Sequence, residues 1–281
     1  MKILCVVIFL VFCFACSSSD DTLIETAPSF LFEDGFETQS SSVDELFLSD
    51  NSRWSNIQQS NPSDQINEIT ISNTTLSEGN NALRIFAFKS DNLLSKMDIE
   101  KGGFKAFVGD KVIIQADFYL NTTANIENLF LIDLECCSCW DPLVDADPSS
   151  DGDNQCPGLR LKMSGGNDFL SIERGKISAS TLTQTTFQFP RNEWVSVRWE
   201  LTLSDNEDGV NKLVINNNDV ITSNGMNMPN AAIFREVFAE NGIDFNLQEP
   251  TFYERVQIGA TANPTTEDIE LFVDNFSIQI N

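Results

Sequence analysis

Two acidic side chains stand two residues apart in the segment Leu131-Ile132-Asp133-Leu134-Glu135. In an extended strand, alternate side chains share a face, so Asp133 and Glu135 are expected roughly 6–7 Å apart. Retaining glycoside hydrolysis uses two carboxyl groups about 5–5.5 Å apart, so the pair is compatible with chemistry on a glycosidic bond. The sequence contains no His, which excludes imidazole catalysis and Ser-His-Asp triads.

A second candidate set combines cations with tyrosines. Arg160, Lys162 or Arg198 would neutralise a uronate carboxylate, and Tyr119, Tyr253 or a lysine would abstract the neighbouring proton. This chemistry would make the protein a polysaccharide lyase. No spacing in the sequence assigns these roles, and an acidic chain repels a polyanion unless a local cationic cleft forms.

A glycan-binding site needs less, because aromatic rings stack on sugar faces while polar side chains bond the hydroxyl groups. The candidates for this role are Trp54, Gln115, Tyr119, Trp140, Arg198 and Tyr253. Trp54 and Trp140 lie in polar stretches, which favours exposure of their rings. Trp194 and Trp199 lie in or beside an apolar alternation, which favours a place in the core or at a sheet edge.

Four cysteines, Cys136, Cys137, Cys139 and Cys156, lie within 21 residues. Disulfides are expected if the protein is exported, and adjacent cysteines bond poorly to each other. A bridge from Cys139 or Cys137 to Cys156 is the most natural pairing, with Cys139–Cys156 as the predicted bond. The spacing lacks two separated Cys-x-x-Cys pairs and does not favour zinc.

The segment between Cys139 and Cys156 is rich in aspartate and contains Gly152. Carboxylate oxygens around a glycine turn are the chemistry of a calcium loop. The predicted ligands are Asp145, Asp147, Asp151 and Asp153. An acidic loop surrounded by solvent is the alternative.

The elements that must position these residues are strands. Val195, Val197, Trp199, Leu201 and Leu203 alternate with polar residues, and similar period-two patterns cover 112–120, 130–135 and 159–163. Such alternation predicts strands with one buried face, and clusters of Asn, Asp and Gly separate them. A short helix is predicted at 233–241. The pattern indicates an all-β, two-sheet antiparallel sandwich.

The polar faces of these strands would form one surface if the strands share a sheet. Tyr119, Asp133, Arg160 and Arg198 are then expected together, beside Gln115, Glu135 and Lys162. The alternative is a solvated face in which cross-strand ion pairs contribute roughly 0.2–1 kcal/mol each.

The composition supports one large globular domain. The chain has 281 residues, 41% of them hydrophobic, with 22 Phe, which is ample for a core. Seventeen Lys and Arg against 42 Asp and Glu give a formal charge of −25. Nucleic acid is therefore not expected as a partner, because phosphate binding needs a cationic surface.

The N-terminus has the pattern of an export signal. Lys2 precedes an apolar run over 3–15 that is too short for a transmembrane helix, which needs about 20 residues. Cys13-Phe14-Ala15-Cys16 resembles a relaxed bacterial lipobox, and the following Ser/Asp residues resemble the surface-export signal of Bacteroidetes lipoproteins. Cys13 departs from the usual aliphatic residue, and a plain cleaved signal peptide is the alternative. The resemblance implies that Cys16 is acylated and that the protein is surface-exposed and anchored to the outer membrane by lipid alone.

Several segments resemble concanavalin-type (laminin-G-like) jelly rolls of bacterial polysaccharide lyases, glycoside hydrolases and lectins. The segments that carry the resemblance are 32–37, 192–204, 208–217, 258–263 and 271–276. The resemblance implies a saccharide cleft on the concave face of one sheet. It also implies a structural calcium between the first and last strands, at Glu33 or Asp34 and Asp274.

The same resemblance weakens the case for hydrolysis. Laminarinase-type hydrolases carry Glu-x-Asp-x-Glu on such a strand, so Asp133 matches the middle residue and Glu135 the acid/base. Leu131 occupies the nucleophile position, which removes the standard mechanism.

We therefore predict a signal peptide at 1–15, a tether at 16–28 and a β-sandwich domain at 29–281. The predicted function is polysaccharide binding by a lipid-anchored monomer. The alternatives are a lyase acting on uronate-containing glycans and a structural or adhesive lipoprotein that binds no glycan.

Overall fold

The computed structural model describes residues 27–62, 64–90, 95–124, 126, 128–139, 157–164, 167–175, 180–240, 247–263 and 267–281. The strands are β1 Phe30–Asp34, β2 Asn56–Ser60, β3 Glu68–Ser72, β4 Ala82–Ala87, β5 Ser95–Ala106, β6 Lys111–Leu120, β7 Leu129–Glu135, β8 Gly158–Ser164, β9 Phe169–Arg174, β10 Ser180–Gln188, β11 Trp194–Thr202, β12 Val210–Ile215, β13 Asn218–Asn224, β14 Tyr253–Asn263 and β15 Ile269–Ile280. A 3-10 helix spans Val43–Leu46, and the helix α1 spans Ala231–Glu240.

The strands form two antiparallel sheets. One has eight strands in the order β13-β12-β11-β6-β15-β4-β3, with β1 paired to β15. The other has seven strands in the order β10-β9-β8-β7-β14-β5-β2. The predicted two-sheet antiparallel jelly-roll sandwich is confirmed.

Alternating apolar side chains from both sheets fill the space between them. Val197 and Trp199 of β11 are fully buried, as are Ile258 of β14 and Ile132 and Leu134 of β7. Each sheet therefore has one inner face on the core and one outer face that carries its polar side chains. The prediction that Trp199 belongs to the core is confirmed.

The alternation breaks at the start of β7. A register irregularity lies between Phe130 and Ile132, where Phe130 pairs with Lys162 of β8. Such a bulge leaves one residue out of step, so Phe130 shares the outer face with Lys162. The sequence pattern predicted Phe130 on the inner face instead.

Helix α1 begins where its sequence supplies a cap. Asn230 Oδ1 accepts hydrogen bonds from the backbone N–H groups of Ala232 and Ile233, at 3.0 and 3.1 Å. The helix therefore starts two residues earlier than predicted. Among the described residues, no helix has the length and apolar character needed to cross a membrane.

The structure pairs two of the clustered cysteines. Cys136 and Cys139 form a disulfide, with Cα atoms 5.4 Å apart, a separation suited to such a bond. The predicted Cys139–Cys156 bond is therefore wrong. Cys139 bonds to Cys136 instead, because the turn after β7 brings these two cysteines within bonding distance. Cys156 lies outside the described residues.

Candidate functional site

The predicted site residues divide between the two outer faces of the sandwich. Asp133 and Glu135 lie on β7, which pairs with β8, the strand of Arg160 and Lys162, in the seven-stranded sheet. The other predicted residues, Gln115, Tyr119 and Arg198, lie on the paired strands β6 and β11 of the eight-stranded sheet. The predicted single surface is therefore wrong, because alternation sets which side of a strand is polar and not which sheet the strand joins.

The outer face of the seven-stranded sheet carries ionisable and amide side chains on six neighbouring strands. We call it the charged face. Its members are Gln58, Lys96, Asp98, Glu100, Asp133, Glu135, Arg160, Lys162, Glu173, Arg255 and Gln257.

Arg255 is the centre of this set. Its Nε atom donates to Glu135 Oε2 at 2.7 Å, and Nη1 lies 3.1 Å from Glu100 Oε2. Burial opposes the charge of Arg255, but Glu135 and Glu100 outweigh burial, so its pKa is raised. The Nε2 atoms of Gln58 and Gln257 donate to Glu100 and Glu135, at 2.6 and 3.0 Å. The arginine is thus held by two carboxylates, and each carboxylate also accepts from an amide.

Lys96 extends the network to a buried carboxyl group. Lys96 Nζ donates to Gln257 Oε1 at 3.1 Å and lies 3.5 Å from Asp98 Oδ2. Asp98 has no exposed surface, and neither carboxyl oxygen makes a close hydrogen bond. Burial raises the pKa of Asp98 to about 8, against the pull of Lys96 and with help from Asp133 and Glu135. Asp98 is therefore mostly protonated at neutral pH.

The predicted cations Arg160 and Lys162 lie beside acids of the neighbouring strands. Arg160 Nε is 3.4 Å from Asp133 Oδ1, and Lys162 Nζ is 2.5 Å from Glu173 Oε1. Both cations also lie over the ring of Phe130, at 4.9 and 5.3 Å from its centroid. The lyase prediction required an excess of positive charge here, whereas each of these cations has an acidic neighbour.

The charged face contains residues that were not predicted, notably Asp98, Glu100, Arg255 and Gln257. A signal for them exists in the sequence. Lys96, Asp98 and Glu100 alternate with buried Met97 and Ile99, and a similar alternation runs along β14. Only the pairing of β14 with β5 and β7 shows that these polar residues join Asp133 and Glu135.

The two acids of the hydrolase-like motif share one face of β7, as predicted, but the motif lacks a nucleophile. Asp133 and Glu135 lie on the charged face and are almost fully buried. Leu131 is completely buried and has no group that could attack a sugar. The standard retaining mechanism therefore has no support at this strand.

Trp54 and Tyr253 are core residues, so the predicted exposure of Trp54 is wrong and neither ring is available to stack on a sugar. Trp54 has no exposed surface and stacks on Phe36, while its Nε1 donates to Asp34 Oδ2 at 3.0 Å. Tyr253 is buried, donates to the Asn227 carbonyl oxygen at 2.7 Å, and has a pKa raised by burial. Polar sequence neighbours gave no sign of these contacts, because the partners are distant in sequence. Trp140 lies outside the described residues.

The predicted calcium ligands at the strand edge have other partners. Asp34 binds Arg53 Nη2 at 2.7 Å and accepts from Trp54 Nε1 at 3.0 Å. Glu33 is exposed on β1. Asp274 is buried and accepts from the backbone N–H groups of Ser77 and Glu78, both at 3.1 Å, and burial raises its pKa.

No group of three or more His, Cys, Asp or Glu side chains in the described part of the chain is arranged to hold a metal ion. The predicted loop ligands Asp145, Asp147, Asp151 and Asp153 lie outside that part, as does Cys16. Calcium and the lipid anchor stay predictions.

The outer face of the eight-stranded sheet holds the remaining predicted residues. Arg198 Nε donates to Glu200 Oε1 at 2.7 Å, and its Nη1 donates to Gln115 Oε1 at 3.4 Å. Tyr119 contacts Trp194 and Phe272 edge to face, at centroid distances of 5.7 and 5.8 Å. Both groups of contacts lie on this outer face, which is separated from the charged face by the thickness of the sandwich.

Solved structures share this fold at low sequence identity. An endo-β-1,4-glucuronan lyase from the fungus Trichoderma reesei matches with TM-score 0.59 and 9% identity, covering 90% of this chain and 95% of that one. The PL-14 alginate lyase from Aplysia kurodai matches with TM-score 0.51 and 17% identity, covering 91% and 99%. Cellulose induced protein Cip1 matches with TM-score 0.53 and 14% identity, covering 88% and 96%.

No protein-family model and no curated protein matches the sequence. At these identities the structural likeness establishes the fold alone.

Proposed function

We propose that the protein binds polysaccharide on the charged face. The observation that carries the proposal is the contiguous array of carboxylates, amides and cations on the neighbouring strands β2, β5, β14, β7, β8 and β9. A solvated sheet needs only scattered polar residues, whereas this set buries acids such as Asp133 and Glu135 beneath partly exposed cations.

The chemistry of the charged face suits a glycan. Sugar hydroxyl groups both donate and accept, so they can bond to carboxylate oxygens, guanidinium N–H groups and amides of one surface. The partly exposed ends of Lys96, Arg160, Lys162 and Arg255 are the groups a ligand would meet first. The fold shared with a glucuronan lyase and an alginate lyase supports this choice of ligand.

Lyase activity is the second candidate, and it is supported by that fold and by the four cations. The residues favour binding over catalysis. The sequence has no His and only two Tyr, and both tyrosines lie elsewhere: Tyr253 in the core and Tyr119 on the opposite sheet. A lysine would have to act as the base, and Lys162 is held by Glu173 at 2.5 Å.

Charge reversal tests the binding proposal. Lys162→Glu places a second acid against Glu173, so retention on an immobilised glycan panel should fall by about tenfold or more. Lys212→Glu is the matched control, because Lys212 pairs with Asp219 at 3.2 Å in the eight-stranded sheet. Thermal melting of both variants shows whether the domain still folds. Undiminished retention by folded Lys162→Glu would contradict the proposal.

An absorbance assay for unsaturated uronate products separates binding from cleavage. With alginate and glucuronan as substrates, the binding proposal predicts no rise in absorbance while retention persists. A rise that disappears in Lys162→Gln would establish the lyase instead.

We further propose that Cys16 carries lipid and anchors the protein to the outer membrane. The support is the sequence around Cys16, which resembles a lipobox. Cys16→Ala should move the protein from the membrane fraction to the soluble fraction. Unchanged partitioning would overturn the anchor.

A further inference from the structure

The eight-stranded sheet carries a row of side chains across four neighbouring strands on its outer face. Trp194 of β11 pairs with Tyr119 of β6, Tyr119 pairs with Phe272 of β15, and Phe272 pairs with Arg84 of β4. The Tyr119 ring contacts those of Trp194 and Phe272, at 5.7 and 5.8 Å between centroids. We call these four side chains the aromatic row.

Two members of the aromatic row present unused donors to solvent. Tyr119 and Trp194 are partly exposed, whereas Phe272 is buried. Within the described chain, neither the Tyr119 hydroxyl nor Trp194 Nε1 bonds to a protein acceptor. A ring with an apolar body and a free polar tip is well suited to a ligand that is apolar on one face and hydroxylated at its edge.

Carboxylates and amides flank the aromatic row on both sides. On one side, Asp117 accepts from Ser77 Oγ at 2.6 Å and from Asn275 Nδ2 at 2.9 Å. On the other side, Glu270 accepts from Asn121 Nδ2. These oxygens are acceptors for ligand hydroxyl groups.

The charge around the row is negative. Arg84 is matched by two acids, Glu270 at 2.6 Å and Glu68 at 3.3 Å. Asp117 lies opposite Asp274, so two further acids stand beside the row. A polyuronate would meet repulsion here, whereas an uncharged ligand would not.

We propose that the aromatic row is a second glycan-binding site, specific for uncharged polysaccharide. The C–H faces of the sugar rings pack on Trp194 and Tyr119. Ligand oxygens accept from the tyrosine hydroxyl and the indole N–H, and ligand hydroxyl groups donate to Asp117 and Glu270. The site lies on the face opposite to the charged face, so it does not depend on that site.

Affinity electrophoresis in gels containing a soluble neutral β-glucan tests this proposal. All variants are made in the Lys162→Glu chain, which weakens retention by the charged face, and each variant is compared with that parent. Trp194→Ala and Tyr119→Ala should each weaken retention by about tenfold, and Tyr119→Phe should have a smaller effect. Lys212→Ala, off the row on the same sheet, should migrate like its parent. In gels containing alginate, the Trp194 and Tyr119 variants should migrate like their parent, because the aromatic row does not bind a polyuronate.

Three results would overturn the proposal. One is neutral-glucan retention that persists in a folded Trp194→Ala, Tyr119→Ala double variant. Another is equal retention of the parent by alginate and β-glucan. The third is a folded parent that shows no glucan retention. If that parent also forms a dimer, seen by size-exclusion chromatography, that Trp194→Ala dissociates, the row is a protein interface. Glucan retention that is lost through Lys162→Glu but not through the Trp194 and Tyr119 variants would support the charged face and overturn the aromatic row. The two proposals can therefore fail separately.

Discussion

The two outer faces of the sandwich use similar charged pairs in different surroundings. On the charged face, Glu135 is 1% exposed and pairs with Arg255. On the opposite sheet, the side chains of Arg198 and Glu200 are 41% and 33% exposed. A buried pair is costly to break because it leaves an unmatched charge away from water, whereas an exposed pair is screened and contributes little. Burial, more than contact distance, therefore decides which polar residues the fold depends on.

Removing Arg255 should have the largest effect on stability. Arg255→Met takes away the main cation of the buried Glu135 carboxylate and one partner of Glu100. We expect the free energy of unfolding to fall by about 3 kcal/mol, as when one partner of a buried pair is lost. Chemical denaturation measures this change. A loss under about 1 kcal/mol would show that the charged face behaves like an exposed surface.

Asp98 should give the charged face a pH-dependent stability. Its folded pKa of about 8 lies above the ordinary value of 3.8, so the folded state binds a proton that the unfolded state has released. The protonated Asp98 therefore makes its full contribution to folding stability at pH values under about 4, and this contribution is lost as the pH rises towards 8. Asp98→Asn removes the ionisation, so its melting temperature should exceed that of the natural protein by an amount that grows across this window. Parallel pH profiles of the two proteins would contradict the assignment.

Removing Arg198 should have the smallest effect. Its pair with Glu200 is half exposed, so Arg198→Met should change the free energy of unfolding by about 0–1 kcal/mol. The same denaturation experiment compares it directly with Arg255→Met. A loss equal to that of Arg255→Met would remove the distinction between the two faces.

The residues show where sequence patterns were informative and where they were not. The alternation from Val195 to Leu203 predicted a strand, and β11 occupies Trp194–Thr202. The same pattern gave no information on Trp54, whose polar neighbours suggested exposure. Its burial depends on Asp34, which is 20 residues away in sequence and accepts its indole N–H.

The strands, their polar and apolar sides, the sandwich architecture and the available side-chain chemistry could all be predicted from the sequence alone. Those properties follow from period-two alternation and composition, which are local. The folded chain was needed to show that Arg160 and Tyr119 belong to opposite faces and that Arg255 and Gln257 of β14 join Glu135. Strand order depends on pairing between distant segments, and β14 lies between β5 and β7 despite following them by more than a hundred residues. No single-strand pattern encodes that pairing, because any strand with one apolar side can enter either sheet.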